Sequence, residues 1–340
     1  MKKFIINILL IIGIPFVIIF ALYWITDPFK INNPFSLENF STVNREYISI
    51  ELFLLQNPKY NYNSFIFGSS RASGINTYTW KYLLENNTNQ KDTVSQYLFQ
   101  AWSETLTGIN QKIEFLDRNN IPINNALVLV DIDIIGTTFH NDQEPQETLK
   151  IKHYALSGQS KMLYQKAFIK AYMGSPSQIA VSIKQLIKPK PMYEFDTVSN
   201  EWTVDNIYNF MQVPTRDSTL NKDDFGDRPA EEQFSEQKIT TEYFNMLKNI
   251  KNIFDKHQTN YKIIVTPTYN QIHINKEDLK ILEHLFGADN VFNFSGKNYI
   301  TEDKYNFMDI NHFDVIVGWW LLHEIYDISN AIDTLEINSL

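Results

Sequence analysis

Two short blocks, far apart in the chain, contain the residue types that nucleophilic catalysis uses. The first block, Gly68-Ser69-Ser70-Arg71, directly follows the strand-like run 64–67. If a helix begins after that run, its free backbone N–H groups would stabilise an alkoxide or oxyanion at the serine. Serines at such a place also serve as helix caps or turn residues. Both interpretations stay open for this block by itself.

The second block, Asp309-Ile310-Asn311-His312, lies near the C-terminus, just before an apolar run. A serine nucleophile needs a base that removes its proton and an acid that holds the imidazole in one tautomer. Asp309 and His312 are close enough for the carboxylate to reach the ring Nδ1 while Nε2 points toward a serine. The alternative is that Asp309 caps the last helix and His312 is an ordinary first-turn residue. The pair of blocks indicates chemistry more strongly than either block does.

The segments between the two blocks alternate between strands and helices. Apolar runs and helical periodicity predict strands at 64–67, 125–132, 261–266 and 290–294, and helices at 76–85, 103–119, 236–257, 276–286 and about 312–327. This alternation predicts an α/β domain with a mainly parallel sheet that helices cover on both faces. Reactive groups in such a sheet gather outside the carboxyl ends of the strands, where we expect both blocks.

A long segment interrupts this alternation. Residues 154–187 are helical and amphipathic in character, whereas residues 188–235 contain Lys-Pro-Lys-Pro, scattered acids and Gly226 without a clear period. We therefore expect an insertion at about 154–235, helical first and irregular afterwards, within an α/β domain that spans 61–330.

The N-terminus predicts a membrane anchor. Residues 4–25 contain no charge, and at ~1.5 Å per residue they reach ~33 Å, about the thickness of the hydrocarbon core of a bilayer. A cleaved signal peptide is the alternative. The run is longer than a usual signal peptide, and it ends in Tyr23, Trp24 and Ile25 rather than in small residues. We therefore expect an uncleaved transmembrane helix.

The charges beside this helix predict its orientation. Lys2 and Lys3 precede the apolar run, and positive residues stay on the cytoplasmic side. Residues 1–3 would then be a cytoplasmic stub. A juxtamembrane segment at 26–60 and the main domain would lie outside the cytoplasm.

Composition excludes several classes of function. The 340-residue chain has no cysteine, which excludes disulfides, thiolate zinc sites, iron–sulfur clusters and cysteine nucleophiles. Its formal net charge is −9 and it has no long basic stretch, so nucleic acid is not an expected partner. The other histidines are scattered without the spacing of a metal site, and we predict neither a metal nor a cofactor. The acidic main domain should not bind an anionic bilayer by itself, so the anchor is the expected tether.

The order and position of the two blocks resemble those of the SGNH, or GDSL-type, hydrolase superfamily. In that family the serine of the first block is the nucleophile, which falls on Ser70. An Asp-x-x-His block near the C-terminus supplies the acid and the base, here Asp309 and His312. The resemblance covers roughly residues 64–327, and its specific motifs are these two blocks. It implies a flavodoxin-like, three-layer α/β/α fold with a mainly parallel central sheet.

This sequence departs from the family pattern at three places. Ser69 stands where the family usually has an aspartate. The resulting Gly-Ser-Ser motif is similar to that of the membrane-anchored branch of the family, which includes the proteins for teichoic-acid D-alanylation and alginate O-acetylation. No glycine occurs at 95–104, where one is expected for the oxyanion hole, and Asp131-Ile132-Asp133 replaces Gly-x-Asn. Oxyanion or substrate-binding candidates are the Ser70 N–H, Arg71 and Asp131. Arg71 would either add positive charge or be a solvated surface residue, and Asp131 would either orient the site or cap the next segment.

The resemblance implies a membrane-tethered serine enzyme outside the cytoplasm that forms an acyl-Ser70 intermediate. It would be an O-acyltransferase or an esterase that acts on a cell-envelope polysaccharide, and such proteins often work with a membrane-bound O-acyltransferase. The alternative is a noncatalytic SGNH-like protein that binds a glycan or serves as a scaffold. Hydrogen-bond reach between Ser70 Oγ and His312 would favour catalysis, and a separation beyond ~8 Å would favour binding.

Overall fold

A computed structural model of the chain describes residues 2–35, 44–87, 93–132, 135, 153–187, 196–201 and 225–326. The chain divides into two units: unit 1 contains Met1–Leu54 and His140–Phe195, and unit 2 contains Leu55–Phe139 and Asp196–Leu340. Several predicted features lie outside the described residues: Met1 of the stub, Asp133, parts of the insertion at 188–195 and 202–224, and the domain end at 327–330.

Unit 2 is built on a five-stranded sheet. The described strands are β1 (Ser64–Gly68), β2 (Gln96–Gln100), β3 (Asn125–Val130), β4 (Gln233–Phe234), β5 (Asn260–Val265), β6 (Ile272–His273) and β7 (Val291–Asn293). Five of them form one sheet in the order β2-β1-β3-β5-β7, and every neighbouring pair is parallel. β4 and β6 form a separate parallel pair. The predicted α/β class with a mainly parallel sheet is confirmed.

The strand order creates a place for a ligand. The first strand, β1, lies inside the sheet, and the next strand, β2, lies at one edge. The chain then crosses back to β3 on the other side of β1 and continues through β5 to β7 at the opposite edge. The direction of winding therefore reverses between β1 and β3. In open α/β sheets a crevice forms at such a reversal, outside the carboxyl ends of the strands. β1 ends at Gly68 and β3 ends at Val130, so we expect the next residues of each to border this crevice.

Eleven α-helices occur in the described residues. They are α1 (Lys2–Thr26), α2 (Arg45–Tyr60), α3 (Thr77–Asn87), α4 (Leu106–Arg118), α5 (Tyr154–Ser157), α6 (Lys161–Met173), α7 (Pro176–Ile187), α8 (Thr241–His257), α9 (Lys276–Phe286), α10 (Tyr299–Glu302) and α11 (Val315–Ile325). Helices α1, α5, α6 and α7 belong to unit 1, α2 begins in unit 1 and ends in unit 2, and the others belong to unit 2.

Helices contact both faces of the main sheet. On one face, a buried apolar cluster joins the sheet to α3 and α11 and includes Ile66, Leu98, Leu127, Trp80 and Trp320. On the other face, Tyr261 of β5 stacks on Phe254 of α8, with 5.3 Å between the ring centroids, and meets Phe286 of α9 edge-on. Because β1, β2 and β3 are buried along their whole length, this sheet is the centre of the core of unit 2.

A turn within the predicted insertion covers the edge strand β2. Backbone hydrogen bonds between Asp196 and Glu201 close the turn, and the Leu98 N–H donates to the Ser199 carbonyl at 2.9 Å. An edge strand otherwise presents unpaired backbone groups. Glu201 is fully buried and accepts hydrogen bonds from Thr77 at the start of α3. Burial raises the pKa of Glu201 to about 7. This part of the insertion therefore completes the sheet.

Unit 1 joins the predicted anchor to the helical part of the predicted insertion. α1 contacts α6 and α7, and Tyr23, Phe29, Phe168 and Tyr172 form a buried aromatic cluster there. The side chains at 2, 5–10 and 12 of α1 lie outside the described residues. In the part of the chain that the structure describes, no helix is long and apolar enough to cross a membrane. The membrane anchor stays a prediction.

The structure differs from the predicted elements in three places. The helical stretch predicted at 154–187 is three helices, because Gly158 adopts a left-handed backbone with φ 70° and Gly174-Ser175 separates the next two. α2 lies in the segment that was expected to be juxtamembrane. The last helix begins at Val315 rather than near His312.

Candidate active site

The predicted nucleophile lies in a short 3-10 helix directly after β1. This segment, Ser70–Gly74, is called the serine turn below, and the Ser69 side chain caps it by accepting a backbone N–H of the turn at 3.2 Å. Gly68 precedes it without a positive φ. Its missing side chain instead allows close packing, because a Cβ there would lie 3.0 Å from the Cβ atoms of Ala72 and Leu129. Ser70 is therefore held at the carboxyl end of β1.

The predicted base lies in a tight loop before α11. Phe307 and Phe313 pair as an isolated antiparallel bridge, and the segment that they enclose is called the histidine loop below. The Met308 N–H donates to the His312 carbonyl at 2.8 Å and closes the loop. The bridge and this hydrogen bond together fix the position of the His312 backbone.

The predicted acid shapes the same loop. Asp309 Oδ1 accepts the backbone N–H groups of Asn311 and His312 at 2.7 and 3.0 Å. Asp314, not Asp309, caps α11 by accepting the Ile316 N–H. The alternative in which Asp309 caps the last helix is therefore wrong.

Three close contacts hold the histidine loop and α11 against the serine turn. A Cβ at Gly318 of α11 would lie 1.8 Å from the Gly74 carbonyl oxygen, and a Cβ at Gly74 would lie 2.4 Å from the Phe313 ring. Arg71 Nε donates to the Asn311 carbonyl at 2.5 Å. Two glycines and one arginine thus allow blocks that are distant in sequence to meet.

The side chains of Ser70, His312 and Asp309 form one hydrogen-bonded chain. His312 Nε2 lies 2.7 Å from Ser70 Oγ, and His312 Nδ1 lies 2.8 and 2.9 Å from the two carboxylate oxygens of Asp309. Because an ionised carboxylate can only accept, we assign the proton of the neutral ring to Nδ1. Nε2 then directs its lone pair toward the serine hydroxyl. In this arrangement an imidazole can remove the proton of the hydroxyl.

The Asp309 carboxylate, which ends this series of hydrogen bonds, is ionised and partly exposed to water. Burial acts to raise the pKa of Asp309, but the hydrogen bonds from His312 and from the backbone of Asn311 hold that pKa below its usual range. The side chain of Asp309 is 53% exposed and that of His312 is 30% exposed. Water therefore screens the attraction between the two groups, and the site lies at the surface.

Arg71 and Asp131, the other predicted site residues, meet in a buried polar network. Asp131 accepts hydrogen bonds from the hydroxyl of Ser69 and from Thr266 Oγ1, the latter at 2.6 Å, and lies 3.4 Å from an Arg71 nitrogen. Both residues are buried. Since Arg71 also donates to the Asn311 carbonyl, it connects the end of β3 to the histidine loop. The geometry indicates that the pair positions the site.

Donors for an oxyanion are available in the serine turn. Among the described residues, the backbone N–H of Ser70 has no protein acceptor. Ser73 Oγ, further along the turn, donates to Oε1 of Gln100 at 2.7 Å. Gln100 is the last residue of β2. Polar groups therefore converge here from the carboxyl ends of three neighbouring strands.

Sequence reasoning found Thr266 but missed Gln100. The segment that starts at Thr266 follows a predicted strand, so its polar groups could either line the cleft or form a simple turn. The structure places Thr266 directly after β5, as Asp131 directly follows β3. Gln100 was missed because β2 itself was not predicted.

No protein-family model matches the chain, and no curated protein matches its sequence. The resemblance to the SGNH superfamily therefore rests on the two motif blocks. Across the described residues, no cluster of three His, Asp or Glu side chains could hold a metal ion.

Proposed function

We propose that the protein is a serine acyl-ester enzyme in which Ser70 carries the acyl group. The observation that carries this proposal is the hydrogen-bonded chain of Ser70, His312 and Asp309. Its order, its donor and acceptor roles and its place beyond the end of a parallel strand are those that acyl transfer needs. The distance of 2.7 Å from Ser70 Oγ to His312 Nε2 is far below the ~8 Å that would favour binding alone.

The first half of the reaction loads Ser70. Ser70 Oγ attacks the carbonyl carbon of an ester while His312 Nε2 accepts the hydroxyl proton. The Ser70 N–H stabilises the oxyanion, and Asp309 stabilises the imidazolium. The tetrahedral intermediate then collapses, the ester C–O bond breaks, and His312 returns the proton to the departing alkoxide. An acyl-Ser70 and an alcohol remain.

The second half transfers the acyl group to water or to a sugar hydroxyl. His312 removes a proton from the incoming nucleophile, and collapse of the second tetrahedral intermediate returns that proton to Ser70 Oγ. An esterase and an O-acyltransferase differ only in this nucleophile. The partly exposed Asp309 and His312 support an extended substrate such as a cell-envelope polysaccharide, because a polymer can reach a surface site without entering a closed pocket.

We also propose the flavodoxin-like SGNH fold and an extracytoplasmic location for this enzyme. The strand order, renumbered within the main sheet alone, reads 2-1-3-4-5, which is the flavodoxin-like order. The charge-free run after Lys2 and Lys3 supports a single transmembrane helix with a cytoplasmic N-terminus. By resemblance, a membrane-bound O-acyltransferase is the proposed donor of the acyl group.

Intact-mass spectrometry tests the acyl-Ser70 intermediate. The full chain in detergent is incubated with an activated acetyl ester, and the wild type should gain the mass of one acetyl group. Ser70→Ala should gain none. Ser160→Ala is the matched control, because Ser160 is an exposed serine before α6 whose side chain makes no capping hydrogen bond. This control should be acetylated like the wild type.

The outcomes separate the candidate functions. Neither adduct nor hydrolysis over a range of pH would contradict catalysis and favour a noncatalytic glycan-binding protein. An adduct that persists in Ser70→Ala would exclude Ser70 as the nucleophile. With an oligosaccharide present, acetyl ester on the sugar would indicate a transferase, and acetate release alone would indicate an esterase.

A further inference from the structure

Helices α6 and α7 of unit 1 expose large apolar side chains. Their exposed fractions run from 45% for Ile183 to 71% for Ile187. The set comprises Met162, Leu163, Ile183, Leu186 and Ile187. On α7, Leu186 and Ile187 follow Ile183 by three and four positions, so the three side chains share one face. An exposed apolar group of this kind indicates a contact with a partner or a membrane.

The same segment is purely basic. Residues 154–187 contain Lys161, Lys166, Lys170 and Lys184 and no acidic residue, although the whole chain has a formal net charge of −9. All four lysines are exposed. Helices that combine exposed apolar side chains with lysines have the composition of interfacial helices on anionic lipid.

The sequence of unit 1 is basic, because it contains 12 Lys or Arg and eight Asp or Glu. Three of these acids lie in the described residues, namely Asp27, Glu46 and Glu51. Asp27 is buried and accepts the backbone N–H groups that follow it at Asn32 and Asn33. Glu51 is also buried and forms an ion pair with Lys161. The local charge thus has the opposite sign to the charge of the whole chain.

The C-terminal end of α1 is attached to these helices. Tyr23 in the last turns of α1 lies against Tyr172 of α6, with 5.3 Å between the ring centroids, and Phe29 lies 5.4 Å from Phe168. α1 also contacts α7. If α1 leaves a bilayer at this end, α6 and α7 are held at the level of the lipid headgroups.

We propose that α6 and α7 lie on the outer surface of the bilayer. Their exposed apolar side chains enter the boundary between headgroups and acyl chains, and their lysines contact anionic phosphates of the lipids. This proposal rests on the proposed α1 anchor, but it does not depend on catalysis by Ser70. It also revises the expectation from net charge alone, which predicts no attraction between this protein and an anionic bilayer.

A single-cysteine label tests the proposal. Because the chain has no cysteine, a fluorophore can be attached at Leu186→Cys on α7, with Lys280→Cys on the exposed surface of α9 as the control. The full chain is reconstituted in vesicles of phosphatidylcholine, with or without phosphatidylglycerol. In the anionic vesicles, the label at 186 should lose access to aqueous acrylamide and gain quenching by a quencher carried on lipid. The label at 280 should stay accessible in both.

Charge variants separate lipid attraction from other causes of shielding. Replacing Lys166 and Lys184 by glutamine should reduce the ratio of membrane-bound to unbound α7 by about 25-fold, or about fivefold per lysine. High salt should act in the same direction.

A label at 186 that stays accessible in anionic vesicles would overturn the proposal, and so would shielding that neither salt nor these variants change. Shielding that requires a second membrane protein would overturn it in favour of a protein interface. Ester turnover, measured in the same vesicles, separates this outcome from failure of the proposed function.

Discussion

Two of the histidine–carboxylate pairs in the described residues, one in each unit, differ in what they can do. In unit 2, Nδ1 of His312 contacts Asp309, and in unit 1, Nε2 of His153 lies 2.7 Å from Glu51. The two contacts are about equally short. The second ring nitrogen distinguishes the pairs, because Nε2 of His312 faces a serine hydroxyl whereas Nδ1 of His153 accepts a backbone N–H at 3.1 Å.

Burial reinforces this difference. His153 is fully buried between the rings of Tyr47 and Tyr154, at centroid distances of 4.5 and 4.1 Å. Burial lowers the pKa of His153 although Glu51 hydrogen-bonds to it. The ring is therefore neutral and both of its nitrogens are occupied, so it has no lone pair to offer a substrate. A histidine beside a carboxylate indicates catalysis only when its other nitrogen faces a nucleophile.

Glutamine in place of each histidine should separate catalysis from stability. In His312→Gln the serine loses its base, so ester turnover should fall by about 10³-fold or more. In His153→Gln, turnover per folded molecule should equal that of the wild type. The free energy of unfolding should fall by about 1–3 kcal/mol, because buried contacts are lost. Hydrolysis of an activated acetyl ester and urea denaturation measure the two effects.

The two variants serve as controls for each other. A large loss of turnover in a folded His153→Gln protein would contradict the division between the pairs. Unchanged turnover in His312→Gln would remove the base from the proposed reaction.

Substitutions of the two carboxylates should also separate catalysis from stability, with a smaller effect on the rate than the substitutions of the histidines. Asn in place of Asp309 keeps an oxygen that can accept the loop N–H groups, but its amide N–H disfavours the proton on His312 Nδ1. Turnover should fall by about 10²-fold, less than for a buried triad carboxylate, because Asp309 is exposed and screened. Glu51→Gln should leave turnover unchanged and lower the denaturation midpoint. Turnover equal to that of the wild type in Asp309→Asn would show that the acid is dispensable.

The contact between Ser70, His312 and Asp309 could be predicted because each half of the candidate site is local. Asp309 and His312 need only a three-residue loop to meet, and Ser70 needs only a strand end. The α/β class followed from periodicity in the same way, since strands buried on both faces are apolar along their length. Local patterns of this kind are visible without a partner segment.

Features that depend on distant partners could not be predicted. α2 buries Arg45, Ser49 and Glu51 together with apolar residues, and burial is continuous over 47–53. Polar and apolar side chains are therefore not separated onto two faces, and the sequence shows no helical period. Glu51 is compensated by His153, Tyr154 and Lys161, all far along the chain. The strand β2 begins and ends with glutamine, and the cover of its outer edge comes from a turn a hundred residues later. Residue types alone do not reveal such compensation.

Arg71 offers a smaller test of how the site of unit 2 is positioned. A lysine there could not bond both the Asn311 carbonyl and Asp131, so the histidine loop should shift relative to Ser70. We expect a fall in kcat of about tenfold with KM unchanged, because the residue positions the base and does not bind the substrate. Arg118→Lys, at an exposed helix end, is the matched control. A rise in KM at constant kcat would instead assign Arg71 to substrate binding, as the sequence first suggested.

The smallest expected effect is on the pH dependence of stability, and it comes from the pair in unit 1. The pKa of His153 is lower in the folded chain than its ordinary value of 6.5. Below pH 6.5 the unfolded chain therefore binds a proton that the folded chain does not. The free energy of unfolding should fall with decreasing pH, by up to about 1.4 kcal/mol per pH unit for this one proton. Above pH 6.5 this contribution is constant.

Glutamine at position 153 removes this proton and keeps a group that can donate to Glu51. Urea denaturation at pH 7 and pH 5 should therefore show a smaller loss of stability in His153→Gln than in the wild type. The slope should not vanish, because hydrogen bonds from His153 and Lys161 lower the pKa of Glu51 despite its burial, and that contribution is lost as pH falls further. Equal slopes in the two proteins would mean that folding does not change the pKa of His153, and a larger loss of stability in His153→Gln would mean that His153 carries its proton when folded. The pair in unit 1 would then be an ion pair, and the contrast with His312 would rest on the second ring nitrogen alone.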